Sequence, residues 1–293
     1  MGNLRVTGRT TPPRHNPAFP RAVFPYPAAV FAWRLILFLV LTLGTACFGA
    51  EASPFDPNHP QWGTVLGRFV TNGAVNYAGL KREPADLDAY LDRLEAIPVA
   101  EFANWPKAER LALLLNLYNA QTLRLIVDHY PLRSIRNIGV LPGAAWKRPV
   151  VRWAGQVRTL DQLEHELIRP VFREPRVHFA LVCAAKGCPP LRAEPYVAAK
   201  LDAQLDDQAR AFLGTTAKNR FDAKTGVLWL SPIFDWYGQD FGADSAGIVR
   251  FVTPFLPADA RNDVARTAKV EVRFTDYDWS LNDLPAGPGT RRD

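Results

Sequence analysis

The sequence predicts an α+β fold, a single domain in which a small, mostly antiparallel sheet is packed by several helices. Helix-type and strand-type apolar spacings alternate along the chain, and the strand-type segments are few and short. Gly155 lies between the segments VVRW and QVRTL, a pattern typical of a tight hairpin. A small sheet beside many helices favours α+β over a doubly wound parallel sheet.

The individual elements follow from the spacing of apolar residues. Helical spacing predicts helices at 60–71, 86–97, 107–129, 160–169, 197–213 and 245–256. Short apolar runs predict strands at 149–153, 176–183, 227–230 and 268–275. The helix at 160–169 opens with Thr159 and Gln162 in capping-box spacing and stops before Pro170.

The first 52 residues have the pattern of an export signal with a long basic region. Five arginines precede the apolar run at 35–43, and Ala-Glu-Ala at 50–52 has the spacing of a cleavage site. The run is shorter than the ~20 apolar residues of a membrane-spanning helix. We therefore expect an export signal in 1–52, one domain in 53–293, and a periplasmic or secreted protein, which an uncleaved signal would anchor to the inner membrane.

The net charge of +6 comes mostly from that signal. Five arginines and one glutamate lie before residue 53, which leaves 30 basic and 28 acidic residues in the rest of the chain. The domain has no Lys/Arg cluster interleaved with aromatic residues, so we expect no nucleic-acid partner. The expected partner is a small molecule, a peptide or an envelope substrate, with membrane contact only through an uncleaved N-terminal segment.

The longest predicted helix, 107–129, carries two asparagines beside its apolar stripe. At about 100° per residue, Asn116 and Asn119 continue the apolar surface, so both amides should be buried and need partners. Two interpretations follow. The amides tie loops to the core, or they orient a catalytic group or donate to an oxyanion.

The predicted helix 160–169 carries ionisable groups on its apolar side. Glu164 falls within the apolar stripe, and His165 lies on its edge. A carboxylate that faces a core needs a cation or is held protonated. We expect Glu164 to be at least partly buried and paired with a cation or with His165, either as a structural pair or in a polar cleft.

A histidine precedes two cysteines in the segment RVHFALVCAAKGCPPL. Side chains alternate in the strand predicted at 176–183, which puts His178 and Cys183 on opposite faces. This pair then cannot form a simple thiol–imidazole dyad, which needs hydrogen-bond contact. Cys188 follows a turn at Gly187 and precedes two prolines, so it can fold back toward either face.

Cys183 and Cys188 have three interpretations. They form a disulfide that closes a short loop, one of them is a catalytic thiol, or a cysteine joins His165 or His178 in a metal site. Because export places both cysteines in oxidising surroundings, we predict the Cys183–Cys188 disulfide. Apart from the metal alternative, no cofactor is expected.

Several phrases along the chain resemble a known family. In order, they are NLYNAQTLRLI, YPLRSIRNIG, LDQLEHELIR, PRVHFALVCAAKGCPPLR, EPYVAAKLDAQLDDQARAFL, LSPIFDWYGQDF and YDWSLN. They resemble the bacterial and plant family called domain of unknown function 547, from about residue 56 to 283. Among these phrases, the run HFALVC with the downstream GCPP is specific to this family pattern. The resemblance implies which residues belong to the family pattern and brings no settled reaction.

A second resemblance concerns a long core helix followed by a strand with an inward histidine. This order is similar to papain and transglutaminase-like folds, in which a cysteine on a helix faces a histidine on a strand. The chain departs from that pattern, because its helix offers Asn116, Tyr118 and Asn119 where the thiol is needed. A hydrolase function inferred from it rests on analogy of fold.

The sequence therefore predicts a polar cleft whose candidate residues are Asn116, Asn119, Glu164, His165, His178, Cys183 and Cys188. The first hypothesis is a cell-envelope hydrolase or transferase acting on an amide or acyl group, with His178 as general base. The alternative is a non-catalytic envelope binding module with a structural disulfide. A thiol count separates them, since a thiol enzyme needs at least one unbonded cysteine.

Overall fold

The structure, a computed structural model, describes residues 55–284. The predicted export signal in residues 1–52 lies outside the described residues. Helices predominate and the strands form three small sheets, so the α+β prediction is confirmed. None of the helices described between residues 55 and 284 is both long and apolar enough to cross a bilayer.

The helices vary from one turn to six turns in length. In chain order they are α1 Pro60–Phe69, α2 Tyr77–Arg82, α3 Ala85–Glu95, α4 Val99–Asn104, α5 Lys107–His129, α6 Leu160–Gln162, α7 Arg169–Phe172, α8 Val177–Ala180, α9 Leu201–Leu213, α10 Ile233–Trp236, α11 Gly238–Phe241, α12 Ser245–Val252 and α13 Ala258–Arg266. A π-helical segment, Leu163–Ile168, joins α6 to α7. Short 3-10 turns occur at Ile135–Asn137, Ala198–Lys200 and Thr253–Phe255.

The strands are short, and most of their pairs are antiparallel. They are β1 Val70–Thr71, β2 Ala74–Val75, β3 Val151–Trp153, β4 Gln156–Arg158, β5 Arg220–Asp222, β6 Val227–Leu230 and β7 Glu271–Phe274. β1 pairs with β2 and β3 with β4, while β6 lies between antiparallel β5 and parallel β7. The hairpin predicted at Gly155 joins β3 to β4, with positive φ at Ala154 and Gly155.

Helix α5 occupies the centre of the fold and has the predicted bounds. Pro106 precedes its first turn, which suits a residue that cannot donate a backbone hydrogen bond. Sixteen of its residues are buried, from Leu111 to Val127, so helices pack around most of its circumference. Such extensive burial explains why a helix with two internal asparagines is stable: tertiary packing outweighs intrinsic propensity.

Buried apolar side chains form two clusters that meet at α8. The larger cluster contains the apolar faces of α1, α3 and α5, and the smaller one gathers residues from α9, β6 and α12. Val177 and Ala180 belong to the larger cluster, and Phe179 belongs to the smaller one. The single turn of α8 thereby fixes His178 at the junction of the two cores.

The strand predicted at 176–183 is wrong. Residues Val177–Ala180 form a helical turn, with backbone hydrogen bonds such as that from the Leu181 N–H to the Val177 carbonyl, 2.9 Å. A short apolar run buried on every side looks the same in sequence whether it is helix or strand, so periodicity could not separate the two. The expectation that His178 and Cys183 point apart, which rested on strand alternation, falls with it.

Candidate functional site

A cavity of about 200 Å³ opens between α5, the π-helical segment, the chain after α8, α10 and the C-terminal segment. Its titratable lining, tyrosines apart, comprises Asp161, Glu164, His165, His178, Cys183 and Cys188. Its aromatic lining comprises Tyr118, Trp146, Trp236, Tyr237, Tyr277 and Trp279. Five of the seven residues predicted from the sequence therefore lie on the wall of one cavity.

The π-helical segment brings two of these residues to the cavity. Glu164 and His165 are consecutive, and both line the wall. π-helical turns are rare and often mark functional sites. The exposed ring of His165 is held from the next turn, because Arg169 Nη1 lies 2.8 Å from His165 Nδ1.

Glu164 is buried, as predicted; its hydrogen bonds come from two tyrosines, and the expected partners, His165 and a cation, act on it through charge. The Tyr118 hydroxyl donates to Oε2 of Glu164 at 3.4 Å, and the Tyr237 hydroxyl hydrogen-bonds the same carboxyl. Burial raises the pKa of Glu164 despite the opposing charges of His165 and Arg169. Glu164 thus keeps its proton to a higher pH than an ordinary glutamate, which suits a proton donor.

His178 is buried and fixed by a carboxylate. Its Nε2 lies 2.7 Å from Oδ2 of Asp240, whose other partner is Nε of Arg169 at 2.7 Å. Burial opposes ionisation of Asp240, but the hydrogen bonds from Arg169 and His178 outweigh it and lower the pKa of Asp240. Because an ionised Asp240 accepts the proton on Nε2, Nδ1 is the unprotonated nitrogen, and it lies 4.0 Å from Oε1 of Glu164.

The imidazole of His178 is neutral across the physiological range. Burial lowers its pKa to about 4, although Asp240 favours the protonated form. The ring packs on Tyr237, with 4.0 Å between ring centroids and 30° between the planes. An acceptor nitrogen of fixed tautomer therefore faces the buried carboxyl group of Glu164.

Cys183 and Cys188 are adjacent thiols, and no bond joins them. The backbone N–H of Cys183 donates to Sγ of Cys188 at 2.9 Å, and Sγ of Cys183 lies 3.2 Å from the Tyr277 hydroxyl. The predicted disulfide is not formed in this structure and stays a prediction. The close contact follows from the loop: Gly187 lies where a side chain would collide with Tyr277 and with the Asp278 backbone.

The two thiols differ in acidity. Burial opposes ionisation of Cys188, but hydrogen bonds from the Cys183 thiol, the Tyr277 hydroxyl and nearby backbone N–H groups outweigh it and lower its pKa to about 7. The hydrogen bond to Cys188, together with burial, raises the pKa of Cys183. Since the thiolate is the nucleophile, Cys188 is the reactive sulfur of the pair.

Asn116 and Asn119 lie outside the cavity lining and tie loops to α5. Asn116 donates to the Tyr196 carbonyl at 2.7 Å and accepts from the Tyr196 N–H at 3.0 Å. Asn119 spans the end of α8 in the same way, donating to the Ala180 carbonyl at 2.9 Å and accepting from the Val182 N–H at 3.0 Å. These bonds favour the structural interpretation over the catalytic one.

The predicted metal site has no support within residues 55–284. No group of three or more His, Cys, Asp or Glu side chains in that range is placed to hold an ion. Neither His165 nor His178 is hydrogen-bonded to Cys183 or Cys188; their nitrogens contact Arg169, Asp240 and Glu164 instead. That no cofactor is needed stays a prediction.

Sequence reasoning missed four residues that complete the site. Asp240 orients His178, Tyr237 covers Glu164, and Tyr277 contacts both cysteines. The Lys218 ammonium donates to the Cys188 carbonyl at 2.5 Å, and burial lowers the pKa of Lys218. Three of the four stand in phrases that carry the family resemblance, LSPIFDWYGQDF and YDWSLN, which was the signal that could have revealed them.

Fold and site together define an α+β protein with a thiol pair, a buried carboxyl and a carboxylate-held imidazole in one aromatic cavity. Residues 102–213 match the family described as "Protein of unknown function, DUF547". That segment holds all seven residues predicted from the sequence, whereas Lys218, Tyr237, Asp240 and Tyr277 lie beyond its end. No curated protein and no solved structure matches the chain, so the comparison with papain and transglutaminase-like folds is unsupported.

Proposed function

We propose that the protein is a thiol-dependent hydrolase or transferase that acts on an amide or acyl group, with Cys188 as the nucleophile. The observation that carries the proposal is the hydrogen bond from the Cys183 N–H to Sγ of Cys188, on the wall of a cavity shared with Glu164 and His178. A sulfur that accepts a backbone N–H is stabilised as the thiolate, the form that attacks a carbonyl carbon.

Glu164 is the proton donor of the proposed reaction. Its carboxyl group is buried on the same wall, and its raised pKa keeps it protonated where an exposed glutamate is ionised. An acid of this kind protonates the departing amine or alcohol, a contribution of about 10² to 10⁴ in rate. An unprotonated acceptor beside it, Nδ1 of His178, can share the proton once the 4.0 Å contact shortens on substrate binding.

The reaction balances without any further reagent. The Cys188 sulfur forms a bond to the acyl carbon, the bond from that carbon to the leaving group breaks, and Glu164 gives its proton to the leaving group. Water or a second acceptor then attacks the thioester and gives a proton to Glu164, and the carbon–sulfur bond breaks to restore the thiolate. Water as the acceptor makes the protein a hydrolase, and an amine or alcohol makes it a transferase.

Trapping the covalent intermediate tests this proposal. Reduced protein is mixed with p-nitrophenyl acetate, and peptide mass spectrometry locates the acetyl group. We expect a thioester on Cys188 that forms faster than on the same peptide after denaturation. Cys183→Ala is the matched control: it keeps the nucleophile and should still be acetylated at Cys188, whereas Cys188→Ala should not transfer the label to Cys183.

The role of Glu164 is separable from that of the thiol. Glu164→Gln keeps the size of the side chain and removes the acidic proton, so turnover of an amide substrate should fall while alkylation of Cys188 by iodoacetamide persists. Equal rates of acetylation of Cys188 in native and denatured protein would refute its role as the nucleophile. Unchanged amide turnover in Glu164→Gln would refute the proposed acid.

One observation favours the alternative function, a non-catalytic binding module with a structural disulfide. Cys188 is buried, Cys183 is partly buried, and the two residues are in contact, so oxidation would join them with little movement. The thiol count of the unreduced native protein decides between the two functions. The binding module predicts that neither cysteine reacts with an alkylating agent before reduction, and the enzyme predicts that Cys188 does.

We also propose that the protein works in the periplasm or outside the cell, and that its family resemblance extends over residues 56–283. The basic stretch, the apolar run at 35–43 and Ala-Glu-Ala at 50–52 support export. The contribution of Tyr237, Asp240 and Tyr277 to the site supports the longer resemblance. Mass spectrometry of protein from the native host, finding an intact N-terminus in the cytoplasm, would contradict export.

A further inference from the structure

The loop between residues 139 and 144 holds two apolar side chains in solvent. Val140 is 99% exposed and Leu141 is 74% exposed, the two most exposed large apolar side chains among the described residues. Isolated exposed apolar residues need no explanation, but two neighbours at the tip of one loop form a protrusion that no part of the described chain covers.

The base of this loop is anchored, so the exposure of its tip is built into the fold. Ile138 and Ala145 are buried on either side, with 2% and 1% exposure. Gly139 has a φ of +86°, and a side chain there would meet the Ala144 side chain at 2.6 Å. The Ala144 N–H also bonds the Leu141 carbonyl at 3.0 Å. A closed turn on a buried base presents its tip outward instead of collapsing onto the surface.

Cations without an ion-pair partner flank the tip along the chain. Residues 131–160 contain six Lys or Arg and no Asp or Glu. Four of the six flank the loop and are exposed, and none of these four forms an ion pair with another described residue: Arg133, Arg136, Lys147 and Arg148. An apolar tip with exposed cations on both sides of it in the chain is complementary to a surface with anionic groups above an apolar layer.

The same segment leads to the mouth of the cavity. Trp146 follows the loop, lines the cavity and meets Trp279 edge to face at 6.1 Å. The Arg136 guanidinium lies over the same Trp279 ring, 5.3 Å from its centroid. Trp236, 48% exposed, stacks on Trp279. Tryptophan is enriched where a protein meets the headgroup layer of a membrane.

We propose that the loop 139–144 with its flanking cations docks the protein onto an anionic lipid surface, with Val140 and Leu141 entering the boundary between headgroups and acyl chains. Apolar tip residues and nearby Lys and Arg act together in such peripheral binding. This contact is separate from the N-terminal segment, the only membrane contact that the sequence predicted. Docking turns the tryptophan-lined mouth toward the bilayer.

A local readout tests the docking surface. The full chain is used, and because its apolar run at 35–43 would by itself retain it on a vesicle, hydrogen–deuterium exchange is measured peptide by peptide. Vesicles of phosphatidylcholine with phosphatidylglycerol should slow exchange in residues 138–148, and vesicles of phosphatidylcholine alone should do so much less. High salt should restore fast exchange in this loop and leave peptides from α4 unchanged.

Two pairs of variants separate the apolar and charged parts. The combined substitution V140D and L141D should abolish the protection of the loop, whereas V99D, at another exposed valine, should not. Lys147→Gln with Arg148→Gln should raise the lipid concentration needed for half-maximal protection about thirtyfold, since each cation contributes about 1 kcal/mol to binding.

A further control removes two exposed cations elsewhere. Lys224→Gln with Arg250→Gln should leave the protection of the loop as in the unmodified chain. Unchanged exchange in residues 138–148 with anionic vesicles would overturn the proposal and leave a protein partner as the occupant of the tip. Equal protection by both kinds of vesicle would overturn the role of the cations.

Discussion

The acidity of Cys188 can be tested by removing a single hydroxyl group. The pKa of Cys188 is about 7, against an ordinary thiol value near 8.5 to 9, and the difference corresponds to about 2 to 3 kcal/mol in favour of the thiolate. This stabilisation comes from hydrogen bonds that the thiolate receives from the Cys183 thiol, the Tyr277 hydroxyl and backbone N–H groups, and these outweigh the cost of burial. A hydrogen bond to a charged group contributes about 1.5 kcal/mol or more, so Tyr277→Phe should raise the pKa by about one.

The assay is the rate of iodoacetamide labelling as a function of pH, with peptide mass spectrometry to assign each cysteine in reduced protein. In the unmodified chain, the labelling rate of Cys188 should reach half its maximum near pH 7, and in Tyr277→Phe near pH 8. Cys183 should label slowly below pH 9, because its pKa is raised.

Tyr196→Phe is the matched control. Tyr196 is also buried, its hydroxyl makes no hydrogen bond to another described residue, and it is not part of the cavity lining. The substitution should leave the midpoint of Cys188 near pH 7. A midpoint at 8.5 or above in the unmodified chain, or one that stays near 7 in Tyr277→Phe, would refute the explanation by hydrogen bonding.

Three further predictions concern stability. The pKa of His178 is about 4 in the folded chain and near 6.5 in the unfolded chain, so the unfolded chain binds the proton more tightly. The free energy of unfolding should therefore fall by about 3 kcal/mol from pH 6.5 to 4. Urea titrations should show a smaller fall in His178→Gln. Glu164 has a raised pKa, so its contribution to the free energy of unfolding is largest at low pH and is lost as pH rises. The stability of Glu164→Gln relative to the unmodified chain should therefore increase with pH. A difference that stays constant with pH would count against a buried acid. Asn119→Ala leaves a buried carbonyl and N–H unpaired and should cost about 3 kcal/mol, whereas the exposed Asn104→Ala should cost about 0.5 kcal/mol or less; similar values for both would contradict the tie to α8.

Local patterns determined much of the fold. Helix 107–129 and strand 227–230 have the predicted bounds, since the helix has a clear apolar spacing and the strand is a short apolar run. The hairpin lies at Gly155, as predicted, and the positive φ of this residue suits a tight turn. Burial of Asn116 and Asn119 also followed from sequence, because helical phase alone put them on an apolar flank.

Other elements left no periodic signal. Helices α2, α4, α10 and α11 span four to six residues each, too few for the apolar spacing of a helix to emerge. α8 is a single turn in a run that is apolar on all sides, and its backbone is completed by the amide of Asn119. Whether such a segment forms a helical turn or a strand depends on which distant groups hydrogen-bond its backbone N–H and carbonyl groups.

The sequence by itself determined that Glu164 is buried and that two cysteines and a histidine lie close together along the chain. Only the tertiary structure decided what these groups can do. Asp240 reaches His178 from 62 residues away, and Tyr277 reaches Cys183 from 94 residues away. Protonation and reactivity depend on burial and on the hydrogen bonds each group receives, and the chain creates both only when remote segments pack together.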